Sequence, residues 1–568
     1  MYFFIFKTHR LQSATIILYS FLYSLFSAAS VTILMPFVNF IFTGYDPAQL
    51  GIYIPFLDND KEKWLIVLCI VTWLAFLLKN LSFAAAEHRV SQMRNELMMQ
   101  LRDDYLLNIF GQSMVYFHST PAGYITSRMI DLTRQFSEKV SLGFSSLSRN
   151  IPLIVLYLAI LAFISWKLMA LSLLLIPLIS VAGNRLHKIL QKSVHEEQQS
   201  LSRLVQYIQQ KIYGIKIIKL FHSEELERDK FHDQNSKLRR ILVVRDRIES
   251  TGISLVEMIG VSAGVFLLYV IGTETLSGRF QYGPGGFVLY IAAVFSLIDP
   301  VRNLFRSIHM FKEAGVLWKI LHPLEITEKP EPATTDEPKN FERQIVFEQV
   351  SFKFDTRSST LFENLNVTIH KGEKIVLTGN SGIGKSTFID LMLGFYRPSA
   401  GTITLDGTPV VNMNKVHVSH LFGVVTQEAF LFHDSVRNNV AYNKNHLTDN
   451  EIVEAMNKVQ LMDWYLQQPH GLDTLIGDRG QTMSGGEKQK LVLARLILRN
   501  PDILIFDEAT SAMDLKTEKA LLDIILNTFA DKTMIFISHR HSIYPFADRI
   551  LEVNGRSIAE RLKPPTFA

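Results

Sequence analysis

The sequence predicts a two-part fold: a bundle of six membrane-spanning helices with long cytoplasmic extensions, then an α/β domain built around a phosphate-binding loop. Three observations carry this. Apolar residues concentrate in the first 310 positions, in six stretches long enough to cross a hydrocarbon core. A proline-rich, polar break follows, with Pro323, Pro330, Pro332 and Pro338 among Glu, Thr and Asp. From Phe341 onward, short β-rich runs alternate with helical patterns, which is the signature of an α/β sheet. The expected division is therefore 1–322 for the membrane part, 323–340 for a linker and 341–568 for the second domain.

Composition narrows the class. A chain of 568 residues exceeds what one domain normally needs. With 48% hydrophobic and 20% charged residues and a mean hydropathy of +0.15, it is too apolar for disorder and rich for a wholly soluble enzyme. The net charge is +4, from 58 basic and 54 acidic residues, so no basic excess points to nucleic acid. The single cysteine, Cys69, excludes an internal disulfide framework and a Cys-rich metal site. It lies in an apolar run and is read as a buried small hydrophobe.

The six spans lie near 14–42, 64–86, 146–165, 168–183, 251–273 and 286–305. Only Ser165, Trp166 and Lys167 separate the third from the fourth, so these two form an antiparallel pair. The fourth is short and is expected to continue into the polar helix after it. The first is no cleaved leader, because its apolar run continues well past Ser27–Ser30 and five more spans follow. Orientation follows from the basic residues. Lys7 and Arg10 precede the first span, Arg89 to Lys139 lie between the second and third, and Arg185 to Lys219 lie between the fourth and fifth. The opposite loops carry few. Both termini are thus expected in the cytoplasm.

The two cytoplasmic connections, 87–145 and 184–250, are rich in helix formers. Leu186, Ile189, Leu190, Leu201, Leu204, Ile208 and Ile212 recur at helical spacing. They read as membrane helices continuing outward, and an extension of ~25 residues reaches nearly ~40 Å.

In the second domain, Gly379-Asn380-Ser381-Gly382-Ile383-Gly384-Lys385-Ser386 follows the strand ending at Leu377 and opens a helical run from Thr387. Glycines let backbone N–H groups close round phosphate oxygens at a positive helix end. Lys385 offers a point charge to the outer phosphates of a nucleotide such as ATP, and the Ser386 hydroxyl offers an oxygen to Mg²⁺. Further on, the run Ile503-Leu504-Ile505-Phe506 marks a strand buried on both faces. Asp507 and Glu508 end it at the crevice where open sheets bind ligands. There Asp507 suits a water-mediated Mg²⁺ contact, and Glu508 suits polarising an attacking water.

Between these two motifs, Ser484-Gly485-Gly486-Glu487-Lys488-Gln489-Lys490 resembles the signature of ATP-binding cassette (ABC) ATPases. Gln427 resembles that family's Q-loop glutamine, which implies a further Mg²⁺ ligand. Ser511-Ala512-Met513-Asp514 resembles its D-loop, His539 its switch histidine, and Gly477-Asp478-Arg479-Gly480 the exporter-type loop before the signature. Phe354 stands where the family usually has a tyrosine stacking on adenine. Met483 replaces the usual leucine. Glu487 replaces the usual glutamine and puts a carboxylate near a nucleotide, which bears on the strength of the cross-subunit contact. The resemblance implies an ATP site formed by Phe354, Gly379 to Thr387 and Gln427 of one subunit with Ser484 to Glu487 of the other, and catalysis by Glu508 and His539.

The likeness extends over the whole chain. Six spans, long extensions and one C-terminal ATPase domain resemble an ABC exporter half-transporter, which implies a dimer, with a homodimer favoured because one chain carries a full set of motifs. Thr120–Arg128 resembles the family's first intracellular loop, and Gly214–Phe221 with Glu224 and Glu225 resembles the second. The resemblance implies that these tips press on the ATPase domains.

Substrate clues are few. Glu257, Asp299 and Arg302 lie in or near the spans, where charge is costly and points to function. Asp299 and Arg302, three residues apart, either pair or line the pathway, and Lys79 is read as snorkelling to an interface. Leu34-Met35-Pro36-Phe37, with Glu257 and the Pro300-containing sixth span, looks similar to bacterial lipid-linked oligosaccharide flippases of the same superfamily. The expected cargo is an amphipathic lipid, glycolipid or lipid-linked oligosaccharide moved across a bacterial inner membrane. A peptide or drug exporter, or an ATP-gated channel or regulator, remains the alternative.

Overall fold

The computed structural model describes residues 10–43, 61–173, 196–197, 199–201, 203–277, 283–321, 340–354, 360–444, 446–477, 480, 483–509 and 515–561. They fall into two units, one holding the spans and the other the α/β domain.

In the membrane unit the helices outrun a bilayer. Lys61–Phe110 has 50 residues and Glu224–Leu276 has 53, about 75 and 80 Å at 1.5 Å per residue. A hydrocarbon core accounts for only ~30 Å of either. Long polar extensions are therefore continuous with the apolar segments, as the helical spacing predicts. The first span is interrupted between Arg10–Thr32 and Leu34–Thr43. Pro36 causes this: it has no N–H to donate to the Thr32 carbonyl, and its ring crowds that position.

Four helical stretches among the described residues are long and apolar enough to cross a membrane: Arg10–Phe42, Glu62–Phe110, Ala122–Ile164 and Pro284–Leu321. They contain the first, second, third and sixth predicted spans. Of the fourth predicted span, 168–183, the part from 174 onward lies outside the described residues. The fifth lies within Glu224–Leu276, where Gly264–Thr273 is an apolar stretch. The tight turn between spans three and four is present, as Thr133–Ile164 ends at extended Ser165 and Trp166–Leu173 begins at once.

The inner packing of this unit is Leu153, Tyr157 and Leu161 against Leu267, Ile271, Leu289, Tyr290 and Ala293. Outside it, Ile66, Ile70, Trp73 and Phe76 are exposed along Lys61–Phe110. Cys69 shares that outward exposure, so the buried reading is corrected. An apolar run in a spanning helix turns one face to lipid or to a partner, and hydropathy does not separate that face from the core.

The second unit contains two sheets. The strands β1 (Gln344–Phe352), β2 (Phe362–His370), β4 (Ala400–Leu405) and β5 (Thr408–Pro409) form an antiparallel sheet in the order β2-β1-β4-β5. The strands β3 (Lys374–Thr378), β6 (Phe422–Val425), β7 (Ile503–Asp507), β8 (Thr533–Ile537), β9 (Arg549–Asn554) and β10 (Ser557–Arg561) form the other, in the order β10-β9-β3-β8-β7-β6. Its pairs are parallel except for β10 with β9. β8 is buried at every position and β7 along its four apolar residues, which is why both read as unbroken apolar runs. Phe341, fully buried, opens the domain.

This unit also takes in Gly111–Pro121, which the sequence places with the membrane part. Met114 packs against the cluster of Phe347, Phe388 and Leu391, and the His118 ring lies 6.4 Å from the Tyr396 ring. The helix that joins the ATPase unit is thus Met114–Ser119, just before the expected tip at 120–128. Ala122–Ser127 stays with the membrane unit.

Candidate active site

Strand order assembles the site. β3, β8, β7 and β6 are neighbours and parallel, so their carboxyl ends lie along one edge. Those ends carry, in turn, the Gly379–Ser386 loop, Ser538–His539, Asp507–Glu508 and Thr426–Gln427. Four segments far apart in sequence therefore converge.

The loop owes its shape to glycine. Gly379, Gly382 and Gly384 have φ of 144°, 75° and 115°, a region costly to residues with a Cβ. A Cβ on Gly379 would meet the Val553 carbonyl oxygen at 2.8 Å, and one on Gly384 would lie 3.0 Å from Phe362 Cζ. The chain then turns directly into Lys385–Met392, whose first N–H groups are free to face an anion. Asn380, Ser381, Ile383 and Thr387 fill out the same turn and helix start.

Lys385 is 6% exposed. Its ammonium donates to the Gly379 and Asn380 carbonyls at 2.7 and 3.1 Å and lies 2.9 Å from His539 Nε2. Burial lowers its pKa, while the carboxylates of Glu508 and Asp507 pull it back up. Ser386 Oγ donates to Asp507 Oδ2 at 3.2 Å. Burial raises the Asp507 pKa, the Ser386 hydrogen bond lowers it, Glu508 raises it and Lys385 lowers it.

Glu508 is the centre of the group. Gln427 Nε2 donates to its Oε2 at 3.1 Å, and His539 Nε2 lies 3.7 Å from its Oε1. Its backbone is left-handed at φ 47°, anchored by an N–H donated to the Ile537 carbonyl at 3.0 Å. Phe354 stands on the β1 side with its ring edge-on to Phe352 and Tyr396, at 4.8 and 5.5 Å.

The signature segment makes a local arrangement of its own. Ser484 caps the helix Gly485–Arg499 in a capping box: Glu487 N–H donates to Ser484 Oγ, and the Glu487 carboxylate accepts the Ser484 N–H at 2.7 Å. Among the described residues each of these two side chains accepts from the other's backbone N–H, within the same helix start. The Glu487 carboxylate folds back onto its own helix start, with Gly485 and Gly486 beginning the turn. Met483 is buried in the adjoining core.

Two residues escaped the motif reading. Asp390, on the helix after the phosphate loop, has its carboxyl pushed up to about 6, chiefly by burial, with His118 lowering it and Asp507 raising it. Tyr396 touches both Phe354 and His118. An acid inside the apolar run Thr387–Leu393 was the available signal for the first. In the membrane unit, Asp299 and Arg302 form an ion pair at 2.7 Å, with both side chains well exposed. Glu257 lies in the helix Glu224–Leu276, and its side chain is outside the described residues, as are Asp478, Arg479 and the stretch Ser511–Asp514.

A phosphate loop, a carboxylate pair and a glutamine at one sheet edge, on a chain with several membrane spans, define a membrane-bound ATPase. Residues 13–301 match the ABC transporter transmembrane region, and residues 362–511 match the ABC transporter family. The chain belongs to the ABC transporter family, as an exporter with its membrane and ATPase domains fused, and it is a multi-pass integral membrane protein. It is 29% identical to the ATP-dependent lipid A-core flippase of Desulfotalea psychrophila, over 89% of this chain and 88% of that protein. It is 30% identical to the uncharacterized ABC transporter ATP-binding protein YknU of Bacillus subtilis, over 79% and 77%. A solved bacterial Atm1-family ABC exporter with ATP bound shares the fold at a TM-score of 0.80 and 20% identity, covering 98% of this chain and 95% of its own. The ATPase domain binds ATP, and its hydrolysis drives export.

Proposed function

We propose that the chain is one half of a homodimer that moves an amphipathic lipid, glycolipid or lipid-linked oligosaccharide across a bacterial inner membrane, with both termini in the cytoplasm. The apolar spans suit a cargo that keeps part of itself in lipid. Similarity to a protein named as a lipid A-core flippase supports the class.

In this reading Lys385 and the loop N–H groups hold the outer phosphates of ATP, and Phe354 stacks on the base. Ser484 to Glu487 of the second copy cap the γ-phosphate. Ser386 Oγ, the Asp507 carboxylate and the Gln427 amide oxygen are hard oxygen donors of the kind Mg²⁺ takes, two of them already 3.2 Å apart. When bound, Mg²⁺ supplies charge that offsets the anionic phosphates. Glu508 orients and polarises water, and His539 holds Glu508 and the phosphate end in register.

The observation that supports this most is the placement of Glu508 between Gln427 and His539, on the same edge as Lys385. The test is a pair of variants. Glu508→Gln keeps ATP binding and slows hydrolysis by about 10²–10⁴, the usual worth of a general base. Lys385→Ala weakens ATP binding instead, because the phosphates lose their counter-charge. Turnover of Glu508→Gln near the parent rate contradicts the assignment.

A further inference from the structure

Away from the ATP site, two cytoplasmic helices of the membrane unit meet at one carboxylate. Residues 203–213 are helical, the short helix Ile215–Leu220 follows, and Glu224–Leu276 begins after a turn in which His222 has φ 48°. Glu227 lies in the first turn of that long helix. Its carboxylate accepts the Tyr207 hydroxyl at 2.6 Å, the Lys211 ammonium at 2.6 Å and the Lys230 ammonium at 3.4 Å.

Tyr207 and Lys211 are four residues apart, hence on one face of their helix. Both reach across to Glu227, so the helices before and after the tip are tied together directly. Aromatic packing backs the tie. Lys211 Nζ sits 5.0 Å over the Tyr207 ring, whose centroid is 6.4 Å from that of Phe231, beside a groove of about 310 Å³. Lys219 adds a second link to Glu224 at 2.9 Å.

The contacts persist across physiological pH. Hydrogen bonding to Lys211 and then Tyr207 draws the Glu227 pKa down to about 2, and burial together with the Glu227 hydrogen bond pushes Tyr207 up to about 12. Within this chain the tip presents apolar side chains outward: Ile217, Leu220 and Phe221 are 63%, 76% and 72% exposed.

We propose that Glu227 is a positioning residue for coupling: it locks the two helices so that the segment 214–221 moves with them as one rigid piece. The proposal rests on the reading that this segment carries movement between the ATPase and membrane domains. The Lys211 and Glu227 side chains are 34% and 16% exposed, so thermal unfolding of each variant is followed beside coupling, and a loss of coupling at an unchanged melting temperature is expected.

The test uses the full transporter in proteoliposomes, measuring ATP hydrolysis and movement of a fluorescent phospholipid in the same vesicles. In Glu227→Ala, hydrolysis stays within about twofold of the parent, while lipid moved per ATP falls about fivefold or more, within the range coupling mutations reach. Glu227→Gln, which still accepts from Tyr207, falls less. The swap Lys211→Glu with Glu227→Lys recovers much of the loss. A parent ratio retained in Glu227→Ala, or a swap no better than the single variants, overturns the proposal. A second measurement reads the tie itself. With Cys69→Ser as background, spin labels at Gln210 and Asp229 give a narrow distance distribution that Glu227→Ala broadens, and an unchanged width overturns the proposal. If Glu227→Ala broadens the distribution while Ile217→Pro leaves coupling intact, the reading of the tip is what fails.

Discussion

Glu508 is held in a left-handed backbone conformation that costs an L-residue about 1–2 kcal/mol. Such strain persists only where the surroundings fix it, and here the Ile537 carbonyl and the Gln427 amide do so. Asp390 shows the same economy of space with a different consequence. Its carboxyl is raised from 3.8 to about 6. Between these values the folded state keeps a proton that the unfolded chain has lost, so stability falls as pH rises through about 4 to 6 and stays lower above it. Asp390→Asn removes that fall. Thermal unfolding in detergent is expected to show the variant melting above the parent at pH 7.5, with the gap closing toward pH 4.5. Parallel curves for the two proteins across this range contradict the assignment.

At the scale of elements, the ATPase sheet was legible because its strands are buried on both faces. Ile503–Phe506 and Thr533–Ile537 announce themselves as continuous apolar runs, and the glycines before Lys385 announce a turn. The convergence of Lys385, Gln427, Glu508 and His539 was legible as a set of motifs, while their neighbour order came only with the sheet. Other features were opaque for physical reasons. Hydropathy does not tell an outward-facing Cys69 from a core one. Helical spacing does not tell which stretch of 111–128 packs against the ATPase core. The capping box at Ser484 and Glu487 has the Ser-x-x-Glu spacing that marks one, and the motif reading passed over it. For the second tip, proline at Ile217 removes the N–H donated to the Gly214 carbonyl at 3.0 Å and turns Lys216, the residue before it, away from helical backbone. It is expected to spare ATP hydrolysis and abolish transport in the same vesicles. Transport at the parent ratio to ATP contradicts the role of this segment.

For the whole molecule, one chain carries one phosphate loop and one signature helix, and Ser484 bonds within its own helix rather than to the Lys385 group. In the proposed reading a complete site is shared with a second copy, and the exposed apolar face of Lys61–Phe110 gives the membrane unit surface to bury against lipid or protein. Sedimentation in detergent is expected to place hydrolysis in a species of two chains. An active single chain contradicts the shared site. On the proposed reading, two ATP molecules between the copies close the ATPase domains and shift the membrane helices from one access state to the other. A swing from 1:99 to 99:1 needs only about 5.5 kcal/mol of differential binding.

The claim that ATP turnover at the Glu508 edge drives vectorial movement meets its most direct test in proteoliposomes. A fluorescent amphipathic lipid is followed from one leaflet to the other with ATP·Mg²⁺ outside, for the parent and for Glu508→Gln in parallel. The account predicts net movement by the parent and none sustained by the variant, although the variant binds ATP. Equal, ATP-independent movement by both proteins contradicts it.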